Sequence, residues 1–131
     1  MPWTASRYYT LIVTIVFLIV GVLGIGNTST MQPANFLGLD LDIVHNFIHL
    51  ATGFLALSCV IMGWDRRFNQ IFGVVYVVLA LLGLLYPFLY FDHRLLGIMH
   101  ANIGDHLFHF VAGAIALYFG FAYRREPVPA A

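Results

Sequence analysis

The sequence contains no lysine, a single cysteine and few charged residues of either sign. Charged residues make up 9% of the 131 residues, whereas about a quarter of the residues in a soluble domain are charged. A chain this poor in charge cannot cover itself with a wetted surface, so a soluble globular domain is excluded. The formal net charge is zero, and no basic patch exists that could hold the phosphates of a nucleic acid.

The single cysteine, Cys59, cannot form a disulfide within the chain. It lies inside an apolar run, where a neutral thiol behaves as a small hydrophobic side chain. The sequence also lacks a recognisable arrangement of nucleophile, base and acid. We therefore expect no catalytic residues and no enzyme activity. A membrane hydrolase that uses a zinc-activated water ranks last among the alternatives.

Apolar residues are abundant: 61% of the chain is hydrophobic and the mean hydropathy is +0.88. They form four runs, over residues 8–25, 43–64, 68–90 and 106–123. Each run is close to the roughly 20 residues that a helix needs to cross a bilayer. Lipid leaves backbone polar groups no external partner, so such runs form helices. The sequence predicts an all-α polytopic protein of the lipid bilayer, with one membrane domain over residues 1–131.

The arginines indicate which way the helices cross. Five of them flank the predicted helices on one side: Arg7, Arg66, Arg67, Arg124 and Arg125. Only Arg94 lies on the other side. Because cytoplasmic flanks are enriched in arginine, we predict that both termini are cytoplasmic, in a bacterial inner membrane or a photosynthetic membrane. The first run is longer than the apolar region of a signal peptide and lacks a clear cleavage site, so we expect it to be retained.

A shift of sixty residues aligns the second half of the chain with the first. The identical pairs include Arg7/Arg67, His49/His109, Gly53/Gly113, Ala56/Ala116 and Leu57/Leu117. The related polar pairs are Asp42/Asn102, His45/Asp105 and Asn46/His106. We therefore predict two tandem helical hairpins, about residues 7–64 and about residues 67–123, in one orientation. Such parallel repeats are related by a pseudo-two-fold axis along the membrane normal, and a four-helix bundle is their simplest packing.

Polar residues gather at the starts of the second and fourth predicted helices. We expect them to face inward as one network near the non-cytoplasmic face: Asp42, His45, Asn46, His49, Asn102, Asp105, His106 and His109. Asp42 and Asn102 are suited to cap the two helices. A glycine follows each repeated histidine by four residues, at Gly53 and Gly113. This spacing places it on the same helix face, where a small residue permits close helix contact.

Three chemistries fit this set of side chains. In the first, the side chains hydrogen-bond to one another and lock the two repeats together, and no cofactor is needed. In the second, His45, His49, Asp105 and His109 bind a divalent metal, since three imidazoles and a carboxylate suit zinc and could suit iron or copper. In the third, His49 and His109 are ligands of a haem or of chlorophyll-type pigments.

These motifs resemble a bacterial family known as domain of unknown function 4383. The resemblance is carried by H-N-x-x-H-x-x-x-G at residues 45–53 and by N-x-x-D-x-x-x-H-x-x-x-G at residues 102–113. The Arg-Tyr opening at residues 7–8 and the V-V-Y-V-V-L-A-L-L-G segment at residues 74–83 are also similar. The resemblance implies four membrane helices and no established activity. His106 departs from the asparagine expected after the family's aspartate, which favours ligand binding over an amide-mediated network.

We therefore expect a non-catalytic membrane protein, an accessory subunit of a larger membrane complex. Four helices leave most of their apolar perimeter uncovered, and other membrane subunits would cover it. The alternative is a protein that binds a metal, haem or chlorophyll-type cofactor at the same polar cluster. His93 and His100 lie in the second long loop and are expected to be solvated.

Overall fold

The structure is a computed structural model that describes residues 3–122. It contains four helices that are long and apolar enough to cross a membrane: Ala5–Asn27 (α1), Ile43–Met62 (α2), Asp65–Leu85 (α3) and Ile103–Ala122. The last of these comprises the α-helix Ile103–Leu117 (α4) and a π-helical segment, Tyr118–Ala122. The prediction of four membrane-spanning helices is confirmed, whereas Tyr123, Arg124 and Arg125 lie outside the described residues.

The helix boundaries differ by a few residues from the apolar runs, and two of these differences have a local cause. Helix α3 ends at Leu85 rather than at residue 90, because the residue before Pro87 is disfavoured in a helix. A short 3₁₀ turn, Pro87–Leu89, follows instead. Helix α4 begins before residue 106, because Asn102 and Asp105 form a capping box. The backbone N–H of Asp105 donates to the Asn102 side chain over 2.9 Å, and the N–H of Asn102 donates to the Asp105 carboxylate over 2.8 Å.

Each long loop contains a short antiparallel hairpin that the sequence analysis did not predict. The strands are Ala34–Phe36 (β1), Leu39–Leu41 (β2), Tyr90–Phe91 (β3) and Arg94–Leu95 (β4). Both two-residue turns have positive φ at each position, as type I′ turns require: Leu37 and Gly38 in the first, Asp92 and His93 in the second. Strands of two or three residues are too short to produce a recognisable alternation of apolar and polar residues.

The helices associate in sequential pairs, α1 with α2 and α3 with α4. Glycines make both contacts close. A Cβ atom at Gly53 would lie 3.1 Å from the backbone nitrogen of Leu18, and one at Gly113 would lie 3.0 Å from that of Val77. The close glycine contacts therefore lie within each helix pair, between neighbouring backbones.

Aromatic side chains fill the centre of the bundle between the two helix pairs. Phe17 of α1 makes edge-to-face contacts with Phe72 and Tyr76 of α3, at centroid distances of 5.5 and 5.4 Å. Along α3, Phe68 stacks on Phe72 and Phe72 stacks on Tyr76. All four rings are buried. This aromatic core separates the polar groups at the two ends of the bundle.

A second polar contact, away from the long loops, joins α1 to α3. The Thr10 hydroxyl donates to the Asn69 side-chain oxygen over 3.1 Å. The Asn69 amide donates to the carbonyl and the hydroxyl of Ser6 over 3.1 and 2.9 Å. All three residues are buried. The sequence analysis missed this contact, although Ser6 and Thr10 share one face of a helix and Asn69 interrupts an apolar run.

The glycine contacts lead to a stability prediction. Gly113→Ala should lower the free energy of unfolding by about 1–3 kcal/mol, because its methyl group overpacks the α3–α4 interface. Gly26→Ala is the matched control, since a Cβ atom at Gly26 meets nothing within 4 Å. Thermal unfolding in detergent measures both variants. Equal melting temperatures for the two would show that the α3–α4 contact is not close.

Candidate metal centre

Three buried histidines converge where α2 approaches α4. His45 and His49 lie one turn apart on α2, and His109 lies on α4. Their exposed fractions are 0%, 1% and 4%. One ring nitrogen from each lies within 4.8 Å of the other two. We call these residues the three-histidine cluster.

Two of these rings face each other directly. The Nε2 atoms of His49 and His109 are 3.4 Å apart. Nitrogen ligands of a tetrahedral zinc ion lie about 3.3 Å apart, given Zn–N bonds of about 2.0–2.1 Å. The same separation also allows one neutral imidazole to donate a hydrogen bond to the other. Either chemistry joins α2 to α4 at this point.

The hydrogen bond of His45 determines which of its nitrogens is available. Its Nδ1 lies 2.8 Å from the carbonyl oxygen of His100, and only a protonated nitrogen can donate to a carbonyl. In a neutral ring, Nε2 then carries the lone pair. This Nε2 is buried and has no hydrogen-bond partner among the described residues. A backbone carbonyl on the far nitrogen is also the usual partner of a metal-bound histidine.

The polar groups around the cluster are incompletely paired. Nδ1 of His49 and Oδ1 of Asp105 are buried without a hydrogen-bond partner in the described part of the chain. A buried polar atom that lacks a partner costs about 1–3 kcal/mol. The contacts of the described residues thus leave these two atoms available to a ligand.

Aromatic side chains close the inner side of the cluster. Phe17 contacts the His49 ring edge-to-face at 5.2 Å, and Tyr76 contacts the His109 ring in the same way at 4.9 Å. The Tyr76 hydroxyl is hydrogen-bonded to Thr52 over 2.9 Å. The cluster thus lies between the aromatic core and the long loops, in surroundings that exclude bulk water.

Asp105 lies beside the three-histidine cluster but is not among the groups that gather within 4.8 Å. Its Oδ2 accepts hydrogen bonds from the backbone N–H groups of Asn102 and Asp40, over 2.8 and 3.0 Å. One carboxylate oxygen is therefore used for capping and for holding a loop. Its other oxygen, Oδ1, remains without a partner in the described structure.

Asp42 joins α2 to the second long loop. Its Oδ1 caps the helix by accepting from the N–H of His45, and its Oδ2 accepts from both the N–H and the ring Nδ1 of His100, each over 2.7 Å. Burial alone would raise the pKa of Asp42, but these hydrogen bonds and the His100 ring hold it below its ordinary value. We call this contact the Asp42–His100 clasp.

The expectation that His100 is solvated is wrong. We expected both loop histidines to be solvated, but only 14% of the His100 side chain is exposed and its ring contacts Asp42. His93, at the tip of the second hairpin, is exposed as expected. The sixty-residue shift pairs Asp40 with His100, which is the only sequence signal that could have identified this residue.

The two loops hold each other's helices. The loop before α2 donates the Asp40 N–H to Asp105 at the start of α4. The loop before α4 donates from His100 to Asp42 at the start of α2. His45 of α2 also binds the loop before α4, through the hydrogen bond from its ring to the His100 carbonyl. The loops and the three-histidine cluster therefore form one connected structure.

Asn46 and His106 have partners outside the cluster. The Asn46 amide donates to the carbonyl of Thr28 over 3.1 Å, and His106 Nε2 is hydrogen-bonded to the Tyr90 hydroxyl. Burial, and then the charge of Asp105, raise the pKa of Tyr90, so the phenol stays protonated and can donate. We expected both side chains to complete the histidine network, but they tie their helices to nearby loops instead.

Glycines on the partner helices make room for these two side chains. A Cβ atom at Gly24 of α1 would lie 2.0 Å from Oδ1 of Asn46. A Cβ atom at Gly83 of α3 would lie 2.1 Å from Cε1 of His106. Each large polar side chain thus fits against a glycine, which explains how an imidazole is accommodated where asparagine was expected.

A haem held between His49 and His109 does not fit this arrangement. The macrocycle would have to lie between the two rings, but their Nε2 atoms are 3.4 Å apart and the rings are in edge-to-face contact. A single ion occupies far less space. The geometry of the cluster therefore favours a metal ion over a flat cofactor.

The apolar helices and the buried polar cluster define a small integral membrane protein. The chain belongs to the family described as Domain of unknown function (DUF4383), whose model matches residues 7–122. The resemblance seen in the sequence motifs is thereby confirmed. No match is found among curated proteins or among solved structures.

The clasp leads to a second stability prediction. Asp42→Asn keeps an oxygen that can cap the helix, but it places an amide N–H, which is a donor, next to the N–H groups of His100, which are donors too. We therefore expect the free energy of unfolding to fall by about 1–3 kcal/mol. Asp92→Asn changes a carboxylate in an exposed ion pair with Arg94 and should have little effect. Thermal unfolding in detergent compares the two. An unchanged melting temperature for Asp42→Asn would mean that the clasp contributes nothing.

Proposed function

We propose that this protein binds one transition-metal ion, zinc being the best match, at His45, His49 and His109, and that the ion joins its two helix pairs. The observation that carries the proposal is the buried, unpartnered Nε2 of His45 beside two other converging imidazoles. Three neutral imidazoles are a common ligand set for zinc. His45 and His49 belong to α2 and His109 to α4, so an ion at this point bridges the two pairs.

We assign Asp105 to the fourth ligand position. Its Oδ1 is buried and unpartnered in the described structure, while its Oδ2 is anchored by two backbone N–H groups. A carboxylate with one oxygen fixed and one available is a typical metal ligand with an ordered outer shell. A single negative charge also offsets part of the charge of a divalent ion in a buried site.

We propose a structural rather than a catalytic role for the ion. A structural zinc site has all its positions filled by protein ligands, whereas a catalytic site keeps one open. With Asp105 as fourth ligand the site is closed. The aromatic rings of Phe17 and Tyr76 cover the cluster on its inner side and the clasp covers it near the loops. A zinc-activated water acting on a lipid would require a path that these groups block.

Metal content tests this proposal directly. The protein purified without chelator should carry about one zinc ion per chain by elemental analysis. His109→Ala should lose the ion, and zinc should no longer raise its melting temperature. His106→Asn is the matched control because it removes a buried imidazole that contacts Tyr90, outside the cluster. It should keep the metal.

Cobalt provides a second readout that does not depend on the metal acquired in the cell. Reconstitution of the metal-free protein with Co²⁺ should give the visible absorption of a tetrahedral site. Asp105→Asn should weaken or alter this spectrum if the carboxylate is the fourth ligand. A protein that binds neither zinc nor cobalt while remaining folded would refute the metal proposal and leave the purely structural interpretation.

We infer that the two helix pairs are parallel repeats with both termini in the cytoplasm of a bacterium. Equivalent residues cap α2 and α4, and a hairpin precedes each of these helices. The exposed loop positions Leu37 and Ile98 should lie on one side. As single cysteines in a Cys59→Ser background, both should react with an impermeant maleimide in intact cells. Labelling of only one of the two contradicts the parallel arrangement.

We also propose that the protein associates with other membrane subunits. Large apolar side chains are exposed on all four helices, such as Ile19, Leu55, Ile71 and Val111. Membrane helices associate through the close van der Waals packing of such side chains. Purification in a mild detergent should therefore recover a complex. Recovery of an isolated monomer from native membranes would argue against an accessory role.

A further inference from the structure

A groove runs along the membrane-facing surface between α2 and α3. These helices follow each other in the chain through the short Gly63–Trp64 connection, yet each packs mainly against its other neighbour, α1 or α4. The cavity between them has a volume of about 480 Å³. Its floor includes the buried rings of Phe68 and Phe72, and its inner end is the hydrogen-bonded pair Thr52 and Tyr76.

The chemistry of the groove changes along its length. Its walls are apolar, but Arg67 and Trp64 line its mouth at the end away from the long loops. A second, polar pocket continues from this mouth and is lined by Arg66, Arg67 and Gln70. Nε of Arg66 donates to the carbonyl of Gly120 over 2.9 Å, which holds the guanidinium in place. The surface thus combines an apolar channel with two neighbouring cationic groups.

The other half of the protein provides an internal comparison. The corresponding surface between α1 and α4 has a cavity of about 180 Å³. There Tyr9 donates a hydrogen bond to the carbonyl of Ala112, and its ring packs on Phe119. Under the sixty-residue shift, Phe119 stands where the α2–α3 groove has Cys59. The cavity is smaller on the surface where the Tyr9 ring packs on Phe119 than on the surface where Cys59 lines the groove.

We propose that the α2–α3 groove binds one anionic phospholipid, with an acyl chain along Phe68 and Phe72 and the phosphate at Arg66 and Arg67. Two adjacent guanidinium groups match the charge and the geometry of a phosphate. The apolar channel leads away from them into the hydrocarbon region, as an acyl chain does. An electrically neutral ligand or an apolar partner helix would leave the two arginines unmatched. This lipid site is independent of the proposed metal ion.

Trp64 at the groove mouth reports on the occupant. In a Trp3→Phe background Trp64 is the sole tryptophan, so all tryptophan fluorescence comes from the groove mouth. Brominated lipids in nanodiscs quench this fluorescence when they bind nearby. Brominated phosphatidylglycerol should quench more strongly than brominated phosphatidylcholine at equal mole fraction. The preference should fall roughly fivefold for each arginine removed by Arg66→Gln and Arg67→Gln. Because nanodiscs expose both leaflets alike, the result does not depend on the orientation of the protein.

Cys59→Phe tests the acyl-chain part of the site. It copies the narrowed α1–α4 surface and should reduce quenching by phosphatidylglycerol to the level seen with phosphatidylcholine. Ile12→Phe adds an aromatic ring to the exposed surface of α1 and should leave the preference intact. Melting temperatures show whether each variant is folded. If Cys59→Phe does not fold, Arg66→Gln and Arg67→Gln still test the lipid site.

Three results would overturn the lipid proposal. Equal quenching by both lipids in the Trp3→Phe protein would show that the groove is filled only by bulk lipid. Quenching by neither lipid, together with a dimeric mass, would show that a second copy of the chain covers the groove. Retention of the phosphatidylglycerol preference in folded Cys59→Phe would place the lipid outside the groove and contradict the proposal as well.

Discussion

The contact between α2 and α4 through three buried imidazoles is the interaction on which the rest of the bundle depends. In lipid there is no hydrophobic drive between helices, so polar groups and close packing must hold them together. His49 and His109 meet with their Nε2 atoms 3.4 Å apart, and His45 joins them from the preceding turn. At the other end of the bundle Thr10, Asn69 and the neighbouring serine join α1 to α3. Polar contacts thus join the two helix pairs at both ends of the bundle, and the aromatic core lies between these contacts.

This arrangement explains why the long loops are ordered. One loop supplies a backbone carbonyl to the buried imidazole of His45, and both loops donate backbone N–H groups to the buried carboxylates of Asp42 and Asp105. The carbonyl of His100 fixes the proton of His45 on Nδ1 and thereby leaves Nε2 available for a metal. Asp42 and Asp105 then hold the loops from the first turns of the helices. The loop hairpins are therefore part of the outer shell of the candidate metal centre.

Each half of the chain has a short hairpin followed by a capped helix, and the two halves differ in their side chains. Asn46 and His106, which the sixty-residue shift pairs, each fit against a glycine of the neighbouring helix. Asp42 and Asn102 both cap helices, but only the aspartate also binds a histidine ring of the second long loop. The surface grooves differ in volume, and Cys59 lies in the larger groove at the position that the sixty-residue shift pairs with Phe119. Most of the identical pairs instead lie in α2 and α4, the helices that carry the three-histidine cluster.

The sequence by itself determined the four helices, the capping roles of Asp42 and Asn102, and the inward position of the histidines, because hydropathy and helical spacing are local properties. It also selected all four of the proposed metal ligands, His45, His49, Asp105 and His109, from their spacing and residue types. Only the tertiary structure decided that His100 binds Asp42, that Tyr90 binds His106 and that Asp105 faces the first loop. These partners come from irregular segments or lie up to 65 residues apart, and no periodic pattern encodes which loop group meets which buried side chain. That choice depends on how the two helix pairs pack in three dimensions.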